Sequence, residues 1–155
     1  MPRKNIDIDP ELEPIQTQPN CWKIEHLGVE LPDVHLDTAL LYGFYWSQEP
    51  AQKEYFFWRI AAEWWNTDPN NHMFARHKWS ISMIRTFCSN KYAAVGGAAS
   101  GGKSYVAAGW AIVNWMSIPQ DTMVLVTSTS LGGARGRAWG AILILLDKVP
   151  NPPCK

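Results

Sequence analysis

The stretch "VGGAASGGKSYVAAGWAIVNW", residues 95–115, holds five of the chain's eleven glycines and runs straight into an apolar, helix-like segment. Glycine is expensive to order, so a cluster of this kind needs a backbone that must curl tightly or approach something closely. Gly97 to Ser104 reads G-A-A-S-G-G-K-S, a full match to G-x-x-x-x-G-K-[ST]. In that pattern backbone N–H groups wrap around a phosphate, and the following helix turns its positive N-terminus toward the anion. Gly97, Ala98, Ala99, Ser100, Gly101 and Gly102 then form the cradle. Lys103 reaches the β- and γ-phosphates as the catalytic cation, and the Ser104 hydroxyl helps to hold Mg²⁺.

Such a loop demands a strand before it and a helix after it. "KYAAVGG" is a short apolar run ending in glycine, as a buried parallel strand does, and "KSYVAAGWAIVNWM" has helical composition. After the turn "SIPQD", the β-branched run "TMVLVTST" reads as a second buried strand, and "SLGGARGRAWGAILILLDKV" as a second helix. Strand, helix, strand, helix is the grammar of a parallel α/β sheet. The expected architecture is therefore α/β, with an incomplete parallel sheet over residues 91–155.

Upstream the texture differs. Residues 1–20 are rich in proline, acidic and amide side chains, which predicts a disordered or extended arm. Residues 21–90 read as a helical, aromatic-rich segment. "DVHLDTALLYGFYW" offers a helix starting at an Asp33 cap, and Pro50 suits the first turn of a helix carrying Tyr55, Trp58, Ile60, Ala62 and Trp65. "HMFARHKWSISMIRTFCSN" offers another, with Met73, Trp79, Met83, Ile84 and Phe87 close to one apolar stripe that belongs in a core.

The three cysteines, Cys21, Cys88 and Cys154, form no C-x-x-C and no metal-ligand spacing. No run approaches the roughly 18 apolar residues that a membrane span needs. The N-terminus has no apolar core of a secretory signal, so a cytoplasmic protein without membrane contact is expected. The zero formal net charge conceals a split: residues 1–70 carry five Lys+Arg against twelve Asp+Glu, and residues 71–155 carry nine against two. Such asymmetry marks either a polyanion-facing surface or two halves that dock on each other.

At the end of the second expected strand, Thr127, Ser128, Thr129 and Ser130 form a hydroxyl cluster, followed by Arg135 and Arg137. In an open α/β sheet they share an edge with the phosphate loop. They are either helix-capping and surface residues, or contacts to a nucleic-acid backbone or a neighbour's phosphate. "VGGAASGGKSYVAAGWAIVNW" followed by "TMVLVTSTSLGGARGRAWGAI" resembles the ATPase core of tailed-phage terminase large subunits, the DNA-packaging motors, over residues 79–146. The resemblance implies an ASCE/RecA-like P-loop NTPase fold, ATP and Mg²⁺ as cofactors, and double-stranded DNA as the polymer moved. It also implies homo-oligomers, portal and small-terminase partners in the full-length protein, and the host cytoplasm as the place of action. Thr127, Ser128, Arg135 and Arg137 are the residues it nominates for DNA or a phosphate in trans. One departure is Ala99, which stands where many members of that family carry an arginine.

ATP hydrolysis by that class needs an acidic strand end. "AILILLDK" imitates one, with Asp147 after an apolar run, but only thirteen residues separate Thr127 from Ala141 and no Glu follows Asp147. Trp139, Ile142, Leu143, Leu146 and Val149 fit helical spacing instead. The chain thus reads as a nucleotide-binding front that lacks the catalytic back of a motor and is inactive alone. A helicase-like motor fragment and a binding-only chain are the alternatives.

Overall fold

The computed structural model describes residues 8–68, 70, 73–97, 102–127 and 130–150. Its sheet is small and antiparallel. Three strands, β1 (Ile15–Gln18), β2 (Cys21–Ile24) and β3 (Val29–Leu31), pair in that order. Ile15 faces Lys23, and Trp22 faces Leu31. Asn20, at φ 56°, turns the chain between β1 and β2, and a single 3₁₀ turn at Glu25–Leu27 separates β2 from β3. Ile24 alone among the strand residues is fully buried, so the sheet caps the helices rather than forming the centre.

The centre is helical. The helices α1 (Leu36–Trp46), α2 (Pro50–Trp64) and α3 (Lys78–Ser89) form a bundle, and α4 (Lys103–Ser117) packs against all three. Pro50 occupies the first turn of α2, where its missing N–H costs nothing. α2 is buried nearly all round, with Phe56, Phe57, Trp58, Ile60 and Trp64 inside. The chain then enters α3 through a reciprocal cap. Ser80 N–H donates to His77 Nδ1, and His77 N–H donates to the Ser80 hydroxyl. Asp33, the expected cap of α1, instead sits at φ 56° ahead of the helix, and His35 holds the N-cap position.

Phe74 joins the bundle to α4. Its ring, 1% exposed, lies among those of Phe57, Trp58, Trp65 and Tyr105. Gly109 makes this possible, because a Cβ there would fall on the Phe74 ring. Beyond α4, a short helix α5 (Leu131–Gly133) continues through a π-helical stretch, Ala134–Trp139, into α6 (Gly140–Leu146). α6 buries Ile142 and Leu145 against α4, and the Trp65 indole N–H donates to Leu145 O at 3.0 Å.

The expected parallel P-loop sheet is not formed. Residues 93–97 and 122–127, placed as its two strands, are extended but belong to no ladder among the described residues. They are also exposed: Met123 by 85% and Leu125 by 76%. The physical reason lies in what β-propensity measures. Val124, Val126 and Thr127 suit a pleated surface, but a strand exists only where neighbours take its N–H and C=O groups. The ladder that does form uses residues 15–31, within the segments expected to be an arm and a helical region. The helical reading of "AILILLDK" holds. Its buried face is Ile142, Leu145 and Val149, whereas Trp139 and Leu143 point outward, each 51% exposed.

Candidate functional site

Helix α4 begins at Lys103, so the G-K-S end of the glycine motif is a helix N-terminus as the sequence predicts. Gly102, at φ 72°, holds the N-cap in the left-handed region that other residues avoid, and its carbonyl accepts from Val106 N–H at 3.0 Å. The first turn contains no acidic residue that would repel an anion from the positive end of the helix. Ser104 follows on the same turn, exposed.

Lys103 folds back on the loop. Its ammonium donates to Gly97 O at 2.9 Å, so the first and seventh residues of the motif meet. Gly97, at φ 158°, lies close enough that a Cβ there would touch Lys103 Cδ and Nζ at 3.6 Å. Ala98, Ala99, Ser100 and Gly101 lie outside the described residues, as do Ser128 and Thr129.

Two further side chains have perturbed acidities. Tyr105, on the first turn of α4, has its phenol pKa raised by burial, so the hydroxyl stays protonated at neutral pH. On α3, burial pushes the Cys88 thiol up to about 12, with the Glu54 charge adding to the effect, so it is no nucleophile. One face of α3 and residues 94–97 enclose a cavity of about 430 Å³ that reaches Gly97 and Lys103.

The second set of nominated residues is more dispersed. Thr127 is exposed at the end of the extended segment. Ser130 Oγ accepts from Gly133 N–H at 3.0 Å, which makes it the cap of α5. Arg135 is exposed on the π-helical stretch, which packs against α4; the Arg137 side chain lies outside the description. Asp147 follows the last turn of α6, not a strand, and pairs with Lys148 at 3.0 Å. Among the described residues no three His, Cys, Asp or Glu side chains gather as a metal cluster, and no helix is long and apolar enough to cross a membrane.

Sequence reasoning missed one feature of this region. Trp79, assigned to the core stripe, is 74% exposed. The reciprocal cap turns Ser80 inward to full burial, and a neighbouring helical residue lies ~100° around the axis, which swings Trp79 out beside the cavity. The capping pattern His77–Ser80 was the available signal. No family model, curated protein or solved structure matches this chain.

Proposed function

We propose that this chain is the ATP-binding portion of a DNA-packaging motor of the terminase large-subunit kind. The observation that carries the phosphate part is the Lys103 ammonium held on the Gly97 carbonyl, directly before an α4 first turn free of acidic residues. The reading stands on this loop and on the resemblance of residues 79–146, not on a parallel sheet. The residues fit a nucleoside triphosphate with Mg²⁺. Lys103 exchanges its carbonyl partner for β- and γ-phosphate oxygens, backbone N–H groups of the first turn of α4 meet the anion, and Ser104 offers its hydroxyl to the metal. Bound Mg²⁺ supplies charge neutralisation between the phosphates.

Asp147 sits after a helix and beside Lys148, so it does not end a strand as a water-orienting carboxylate of that class would. Binding without turnover is the expected behaviour of the isolated chain. In the motor, Thr127, Ser128, Arg135 and Arg137 contact double-stranded DNA or a neighbour's phosphate, and the basic balance of residues 71–155 favours a polyanion. Homo-oligomerisation, portal and small-terminase partners, and the host cytoplasm belong to the same proposal.

The test is calorimetric titration of ATP–Mg²⁺ into the wild type and Lys103→Ala. Loss of the ammonium should weaken binding at least about tenfold, or ~1.4 kcal/mol. Equal affinities would remove the phosphate assignment.

A further inference from the structure

Residues 69–120 hold five Lys or Arg and no Asp or Glu, and α3 lies inside that run. Lys78, Ser82, Arg85 and Ser89 follow at steps of four, three and four, so they share one face of the helix. That face, with Arg76 and His77 ahead of it, lines an open groove in which no described side chain is acidic. Arg76, His77, Lys78 and Arg85 are all exposed. α2 holds two of these groups in place. The Arg76 guanidinium lies over the Trp58 ring, 5.7 Å from its centroid. Glu54 accepts from Arg85 Nε at 2.9 Å and from Nη2 at 3.2 Å, which fixes the guanidinium plane. Glu54 offsets part of the Arg85 charge, but a guanidinium has five N–H donors and keeps a further edge for an anion. His77 Nδ1 accepts from Ser80 N–H, so the neutral ring carries its proton on Nε2 as a donor.

We propose that this face of α3 docks the phosphate backbone of a nucleic acid without reading its sequence. The partner rests on the double-stranded DNA of the reading above, and the groove adds a contact surface to Thr127, Ser128, Arg135 and Arg137. Charge complementarity selects an anion. The character of the lining favours nucleic acid over an acidic protein. Protein interfaces are anchored by apolar and aromatic side chains at a buried centre, and Ile81 is the one apolar side chain among the described lining residues. Interfaces with nucleic acid are more polar and far more positively charged. The Thr86 and Ser89 hydroxyl protons are already donated to Ser82 O and Arg85 O, so the cations make the contacts. From Lys78 to Arg85 the helix advances about 10 Å, roughly three base-pair steps of one strand. Contacts to phosphates position a duplex and carry no base information. Ser82 and Thr86 border both this groove and the cavity that reaches Lys103, so the docked backbone lies next to the phosphate loop.

The experiment follows a fluorescent mixed-sequence duplex by anisotropy over a salt series, with polyglutamate as competitor. Lys78→Ala and Arg85→Gln should each reduce the slope of log K against log salt by about 0.9, the share of one phosphate contact. The reduction should be the same for duplexes of different sequence. Arg85→Lys should keep the slope because the charge stays. Lys23→Ala, an equal charge loss on β2, should leave the slope unchanged. Thermal unfolding of each variant verifies that the fold persists. Wild-type slopes in both Lys78→Ala and Arg85→Gln, or an equal fall in Lys23→Ala, would overturn the assignment. Displacement of the duplex by polyglutamate at equal charge would overturn it too and make an acidic protein segment the occupant. An ATP–Mg²⁺ titration of the same samples separates this proposal from the nucleotide reading. ATP binding without groove-dependent duplex binding removes the groove alone, and groove-dependent duplex binding without ATP binding removes the phosphate loop alone.

Discussion

Residues 8–90 and residues 91–150 have similar apolar character and reach different ends. In the first region α2 is enclosed: Phe56, Phe57, Ile60 and Trp64 are each 3% exposed or less. In the second, α4 packs well through Val106, Ile112 and Val113, but the flanking extended segments do not. Met123 and Leu125 are each more than three-quarters exposed. A helix satisfies its own backbone and needs only one apolar face covered, whereas an extended segment needs a neighbour for its hydrogen bonds as well. The first region is therefore closed around α2, whereas in the second the extended residues 93–97 and 122–127 stay open.

Phe74→Ala attacks the junction between the two regions and should have the largest effect. The residue is fully enclosed by rings from both sides, so truncation should cost about 3–5 kcal/mol, read as a lower urea midpoint. A loss below ~1 kcal/mol would mean that α4 does not seal the bundle. Glu13→Ala should come next. Glu13 accepts from the Arg59 guanidinium, at 2.7 Å from Nε, and from the Tyr55 hydroxyl. Arg59 is only 7% exposed and would keep Glu63 at 3.3 Å, so a cost of about 2 kcal/mol is expected in thermal unfolding. A neutral result would show that residues before β1 do not belong to the closed region. Leu125→Lys should have the smallest effect, within ~0.5 kcal/mol in the same unfolding experiment, because the side chain already faces solvent. A loss above ~2 kcal/mol would show the segment to be covered and would erase the contrast.

The helices of this chain were legible for identifiable reasons. Pro50 marks the start of α2, and good helix formers continue it to the break at "TDPNN". Helical spacing likewise separated "AILILLDK" from an acidic strand, though the buried face is turned toward Leu145. The small sheet was harder to see. β1 to β3 are three or four residues long, and only the Pro19–Asn20 turn and Gly28 punctuate them. Trp79 was misassigned because its stripe was drawn without the cap that sets the phase of α3.

The sequence by itself determined the local features whose energetics are local. These are the start of α2 at Pro50 and the start of α4 directly after the glycine motif, each set by a few neighbouring residues. Only the tertiary structure decided whether apolar extended segments became strands. "KYAAVGG" and "TMVLVTST" carry the composition of buried strands, but pairing is a property of two chains' backbones side by side. The ladder went to residues 15–31, where β2 has a neighbour on each side, and the more β-prone residues 122–127 remain outside it.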